Sequence, residues 1–180
     1  SLPAPVGGFV GRERELADLL RRLTDQDCRL LTLVGPGGVG KTQLALRAAQ
    51  QLAAGWAGEA AIADGVIFVS LAAVRGADEL VIAMAAAARF RFYPAVPPRQ
   101  QLLDYLRDKR MLALLDGCEQ LGDAARLLAE LLATAPGLRL LATSREALNL
   151  QGEWFHPLDG LSVPDEAAAQ RPVAGLARFD

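Results

Sequence analysis

Gly35-Pro36-Gly37-Gly38-Val39-Gly40-Lys41-Thr42 decides how the rest of the chain is read. It fits the pattern G-x-x-x-x-G-K-[ST], with Gly35, Gly40, Lys41 and Thr42 at the fixed positions. Glycines let such a loop wrap tightly, with backbone N–H groups turned inward as an anion nest. Lys41 can then reach phosphate oxygens, and Thr42 can offer its hydroxyl to magnesium. The stretch before the loop, Leu30-Leu31-Thr32-Leu33-Val34, is a short apolar run that reads as a buried strand. A helix opens at Lys41, carries Leu44, Ala45, Ala48, Ala49 and Leu52, and ends at Gly55. A strand before and a helix after are the context this loop needs, because a helix N-terminus adds favourable charge for an anion. Gly37, Gly38, Val39, Gly40, Lys41, Thr42 and Gln43 are the predicted phosphate-side residues. The alternative is a glycine-rich turn that holds no ligand.

The same alternation extends in both directions. Upstream, Leu16, Leu19, Leu20 and Leu23 lie at helical spacing among Arg and Glu. Downstream, Val66–Val69 reads as a second buried strand. Asp78 is expected to cap an alanine-rich helix that ends before Pro94, with a loop from Pro94 to Pro98. Leu102, Leu103 and Leu106 mark another helix, and Met111–Leu115 a third strand. Asp123 is expected to cap a helix bearing Leu127, Leu128, Leu131 and Leu132. Leu138–Ala142 is a fourth strand, and a short helix near Glu146 is expected to lead to a fifth at Glu153–Leu158. Continuous apolar strands alternating with amphipathic helices predict an α/β three-layer sandwich around a mainly parallel sheet. Ligands bind such sheets at the carboxyl ends of the strands.

Composition narrows the function classes. The chain has 180 residues, 52% of them hydrophobic and 22% charged, and a formal net charge of -2. That length suits one compact domain with a core. No apolar run reaches the roughly 18 uncharged residues of a spanning helix, so no membrane partner is expected. The opening SLPAPVGGFVGRERE lacks the charged and apolar blocks of a secretory signal, and a cytoplasmic location is expected. Ser1 in place of methionine suggests a trimmed start. The slightly acidic balance argues against direct nucleic-acid binding by this stretch. Cys28 and Cys118 lack zinc-ligand spacing, and His156, the single histidine, reads as structural.

Two further residues complete a plausible site. Asp116 ends the run Met111–Leu115, which would project its carboxylate near the magnesium; a turn or cap role is the alternative. Thr143-Ser144-Arg145 ends the fourth strand, and Arg145 could stabilise charge at the γ-phosphate or stand on the surface.

Together these motifs resemble a known family. Phe9-Val10-Gly11-Arg12-Glu13 is similar to the opening motif of the signal-transduction ATPases with numerous domains, which include NB-ARC proteins. GPGGVGKTQLAL, LALLDGCEQL and LATSREAL resemble motifs of large bacterial regulators, including LuxR-type and antibiotic-regulatory transcription factors. Gly152-Glu153, His156-Pro157-Leu158 and Leu161-Ser162-Val163-Pro164 extend the likeness, which spans Pro3 to Pro164. The resemblance implies a P-loop NTPase sheet of the additional-strand class, with about five strands and the Arg145 strand between the P-loop strand and the Asp116 strand. It implies ATP or ADP with Mg2+ as cofactors, Lys41, Thr42 and Asp116 as phosphate and metal residues, and a switch more than a fast enzyme. It places Val10 and Arg12 beside the adenine, although Arg12 can equally be a solvated first-turn residue. Residues 1–164 would form the nucleotide-binding domain, and 165–180 a tail beginning a following domain. Implied partners are other domains of the same chain and a second copy through nucleotide-dependent self-association. One departure bears on hydrolysis. Relatives usually carry asparagine or a second aspartate after the metal aspartate, where this chain has Gly117. Glu119 is then the nearest acidic substitute for the activating base, or else a capping or solvated residue. A hydrolysis-deficient binding scaffold is the alternative to a slow ATPase. A metabolic P-loop kinase fits less well, because no lid or acceptor site is evident.

Overall fold

The computed structural model describes residues 2–3, 11–55 and 62–160. Along the chain run α1 (Glu13–Thr24), β1 (Leu30–Val34), α2 (Lys41–Ala53), β2 (Val66–Ser70) and α3 (Ala77–Ala87). Then come α4 (Pro98–Leu106), β3 (Met111–Asp116), α5 (Ala125–Thr134), β4 (Leu138–Ser144) and β5 (Glu153–Pro157). The strands form one five-stranded sheet in the order β2-β3-β4-β1-β5, and every pairing is parallel. β4 therefore lies between β1 and β3, as the motif resemblance implies.

The central strands are apolar on both faces because both faces are covered. Met111, Ala113 and Leu115 of β3 join one buried cluster with residues of α3, α4 and α5. Leu112 and Leu114 of the same strand join the other, with Leu16, Leu19, Leu20 and Leu23 of α1 and Leu44, Ala45, Ala48 and Ala49 of α2. Each fully buried leucine contributes about 1.5–3 kcal/mol relative to exposure. The result is a helix–sheet–helix sandwich whose carboxyl edge carries the glycine-rich loop.

The amino edge is closed by two arginines. Arg29, just before β1, donates to the carbonyls of Leu132 (2.8 Å), Ala135 (2.5 Å) and Leu138 (3.0 Å), where α5 ends and β4 begins. Arg139, in β4, donates to the carbonyls of Leu23 (3.0 Å), Asp25 (2.5 Å) and Cys28 (2.8 Å), where α1 ends ahead of β1. Each of two adjacent chain segments thus satisfies the helix end that feeds the other. The last carbonyls of a helix have no partner within it, so these contacts fix both helix exits against the sheet.

Several local expectations fail for identifiable reasons. Asp78 does not cap α3: the N-cap is Gly76, and Asp78 sits within the first turn, where a carboxylate still favours the helix dipole. α3 ends at Ala87, and Arg89 follows at φ 55° in the left-handed region. α4 begins on Pro98, where a missing N–H costs nothing. Asp123 lies in a 3-10 turn, Gly122–Ala124, ahead of α5 and makes no side-chain cap bond. β4 extends to Ser144 and so includes Thr143. No helix forms near Glu146. There the Glu153 carboxylate accepts from Leu148 N–H (2.9 Å), Leu150 N–H (3.3 Å) and the Thr32 hydroxyl (2.6 Å). A carboxylate offered to backbone donors competes with helical bonding, and here it shapes a turn.

Candidate functional site

The loop from Gly35 to Gly40 joins β1 to α2 at the carboxyl edge. Gly35 must be glycine, because a Cβ there would stand 2.3 Å from the Leu158 carbonyl oxygen. Gly38 and Gly40 turn the loop through φ values of +76° and +95°. Among the described residues, the N–H groups from Gly37 to Thr42 donate to no protein backbone or side-chain acceptor. Lys41 Nζ lies across the loop and donates to the carbonyls of Gly35 and Pro36, both at 2.8 Å. Gln43 follows in the first turn of α2.

Asp116 ends β3 directly beside Thr143 of β4 in the sheet register. Its Oδ1 accepts from the Thr42 hydroxyl at 2.6 Å and from the Thr143 hydroxyl at 2.7 Å. Thr143 Oγ1 in turn accepts from Gly117 N–H at 3.0 Å, and Gly117 turns the chain at φ +85°. With Oδ1 doubly held, Oδ2 is the oxygen without a described hydrogen bond. Unpartnered amides, one ammonium, a hydroxyl and an open carboxylate oxygen form a donor set that fits a phosphate chain with magnesium. Magnesium, when bound there, would supply charge neutralisation at the phosphates, with Thr42 and Asp116 as its protein oxygens.

Arg145 leans over the loop from the end of β4. Its Nη2 is 3.5 Å from where a Cβ on Gly37 would stand. Its Nε is 3.9 Å from Glu119 Oε1, and its side chain is 70% exposed. Glu119 makes no hydrogen bond with Lys41 or Asp116 among the described residues; its carboxylate faces Arg145.

Arg12 is only 6% exposed, so it is not a solvated first-turn residue. Its Nη2 donates to the carbonyls of Val39 (3.1 Å) and Asp159 (2.8 Å), and its Nη1 lies 3.7 Å from Glu15. A cavity of about 480 Å³ opens beside it, bordered by Gly11, Glu15, Pro157, Leu158 and Asp159. Val10, the other expected adenine-side residue, lies outside the described residues, as does the 165–180 tail.

Two buried thiols are chemically quiet. Burial pushes the Cys118 thiol well above its usual range, reinforced by the charges of Glu119 and Asp116. Burial likewise raises the Cys28 thiol to about 11. Neither is an activated nucleophile. His156 packs inside with Nδ1 3.3 Å from Asp18 Oδ2, and burial lowers its pKa against the pull of that carboxylate.

Thr143 and Glu153 were not singled out from sequence. The signal for Thr143 was its place at the head of the Thr-Ser-Arg triplet, immediately after the run Leu138–Ala142 that marked the strand. Glu153 carried no local signal, since it reaches back to Thr32, 121 residues away.

Known proteins resemble this chain in sequence and in fold. No family model matches the chain. A Mycobacterium tuberculosis protein named as an HTH-type transcriptional regulator is 41% identical over 152 residues, covering 82% of this chain and 16% of that protein. The regulatory protein AfsR of Streptomyces coelicolor is 34% identical over 185 residues, covering 93% of this chain and 18% of AfsR. Among solved structures, Cdc6p of Pyrobaculum aerophilum superposes with a TM-score of 0.62 at 18% identity, over 88% of this chain and 48% of that one. A signal-transduction ATPase with numerous domains and a tetratricopeptide repeat sensor, from Pyrococcus horikoshii, gives 0.52 at 16% identity, over 89% of this chain and 24% of that one. By fold, the chain is similar to these ATPases. The two sequence relatives described above carry regulator names, and the chain spans about a sixth of the length of each.

Proposed function

We propose that this domain binds ATP and ADP with Mg2+ on the loop Gly37–Thr42 and serves as the nucleotide-dependent switch of a larger regulatory chain. The observation that carries this reading is the row of N–H groups from Gly37 to Thr42 without an acceptor among the described residues, with Lys41 across the same loop and the Thr42–Asp116 contact alongside. Lys41 exchanges its loop carbonyls for phosphate oxygens. Thr42 and Asp116 hold the metal. Arg145 has free reach over Gly37 and answers charge at the terminal phosphate. Hydrolysis is slow, because the rim is open to water and a preorganised charge environment is incomplete. Other domains of the same chain, or a second copy, would close it. The domain itself makes no direct contact with nucleic acid or membrane in this reading.

A second reading, a binding scaffold that has lost hydrolysis, is favoured by one feature. Gly117 offers no side chain beside Asp116, and Glu119 faces Arg145 instead of the metal carboxylate. Magnesium-dependent phosphate release by a longer protein carrying this domain, with Lys41→Ala as control, separates the two. Release above the Lys41→Ala background supports the slow switch; none supports the scaffold. For the 180-residue chain alone, turnover at or above the enzyme median of about 10 per second, independent of protein concentration, would overturn the switch reading.

A further inference from the structure

The buried guanidinium of Arg12 is bound to backbone from two remote parts of the chain. Taking such a charge out of water costs several kcal/mol unless its donors are satisfied. Both protons of Nη2 are satisfied, one by Val39 O within the glycine-rich loop and one by Asp159 O just beyond β5. The backbone of Arg12 is itself fixed, since it is the N-cap of α1 and its carbonyl accepts from Leu16 N–H at 3.0 Å.

The Val39 carbonyl belongs to a peptide whose N–H is that of Gly40. No described peptide bond is cis. In a planar trans peptide the C=O and N–H point in opposite directions. A donor that grips Val39 O from outside the loop therefore holds the Gly40 N–H away from itself, toward the loop's concave side. Gly40 at φ +95° sits in a region where glycine alone is comfortable, so this peptide needs an external hold to keep one orientation. The same neighbourhood is fastened twice more. Leu158 N–H donates to Val34 O at 2.7 Å, and the Leu158 carbonyl lies against Gly35.

We propose that Arg12 is a positioning residue for the phosphate loop: it aims the Gly40 N–H at the phosphates and couples that amide to the segment by which the chain leaves β5. This rests on the nucleotide reading above and deepens it, because a shift at Asp159 then alters the phosphate nest, and phosphate binding stiffens residues 158–160. A residue that reads the adenine base would behave differently.

The test is displacement of a fluorescent ADP analogue by tripolyphosphate, ATP and GTP, comparing the wild-type chain with Arg12→Gln and Arg12→Lys. Loss of charge-assisted hydrogen bonds of this kind should weaken tripolyphosphate and ATP alike by roughly tenfold or more, with the ATP-to-GTP preference unchanged. Arg12→Lys keeps the charge and a donor and should recover part of the loss. Tripolyphosphate binding that stays constant while the ATP-to-GTP preference shifts would overturn the proposal, as would no change with any ligand. Where Arg12→Gln fails to fold, amide exchange at residues 158–160 in Arg12→Lys decides. ADP should slow exchange in wild type and less so in the variant; equal slowing overturns the coupling. A wild-type chain that binds none of these ligands fails the nucleotide reading itself, a distinct outcome from a wild type that binds and an Arg12 variant that binds equally well.

Discussion

At the amino end of the sheet, Arg29 and Arg139 each donate to three backbone carbonyls. At the carboxyl end, Arg145 is 70% exposed and has a carboxylate no nearer than 3.9 Å, while Lys41 rests on carbonyls of its own loop. The residue types are alike, but their donors are committed differently. Cations at the amino end complete helix exits and have little left to offer a ligand. Those at the carboxyl end keep open or exchangeable donors beside a row of unpartnered amides. The contrast separates side chains that hold the fold from side chains whose donors are open or exchangeable, and under the proposed function it makes mutations at the two ends predictable in opposite ways.

The largest effect on stability is expected at the amino end. Arg139→Ala removes three charge-assisted hydrogen bonds to backbone carbonyls and should cost about 2–3 kcal/mol, measured by urea unfolding. Nucleotide affinity of the folded fraction should stay within about twofold, a change too small to matter against 1.4 kcal/mol per decade. A variant of unchanged stability would break the comparison, because Arg139 would then be as dispensable to the fold as a rim residue. At the carboxyl end the signature reverses. Asp116→Asn should weaken magnesium-dependent ATP binding by about tenfold and leave binding in excess chelator unaltered, with a thermal midpoint close to wild type. Equal magnesium dependence in both proteins would return Asp116 to a purely structural role.

The smallest effect concerns His156, which joins β5 to Asp18 of α1. Burial holds His156 below its ordinary pKa of 6.5. As pH falls through about 6.5, the unfolded chain takes up a proton that the folded chain resists, so stability is full above that pH and declines below it. His156→Asn should show a shallower decline between about pH 6.5 and 5 in parallel denaturant titrations. An identical slope in the two proteins would mean that His156 titrates alike folded and unfolded.

Much of this architecture was legible in sequence, for local reasons. Met111–Leu115 is apolar without alternation, as a strand in a sheet covered on both sides is. The glycine-rich loop stands out because its motif has fixed residues at fixed spacing. What stayed hidden are contacts across long sequence separations: Arg12 to Asp159, Arg139 to Leu23, and Thr32 to Glu153. An arginine beside a helix start reads as solvated until the fold brings carbonyls around it. The aspartates misled in the opposite sense. Asp78 and Asp123 are good caps in isolation, but a carboxylate in the first turn or in a preceding 3-10 turn is also acceptable, and backbone geometry chose those positions.

The proposed nucleotide site stands on Lys41 and the open amides around it. Calorimetric titration of the chain with ADP and magnesium, beside Lys41→Ala at matched folding, tests it most directly. One binding site is expected in wild type, with affinity reduced about a hundredfold in the variant, as loss of a charged phosphate contact requires. Equal affinity in the two proteins, or no heat from wild type at millimolar nucleotide, would contradict it.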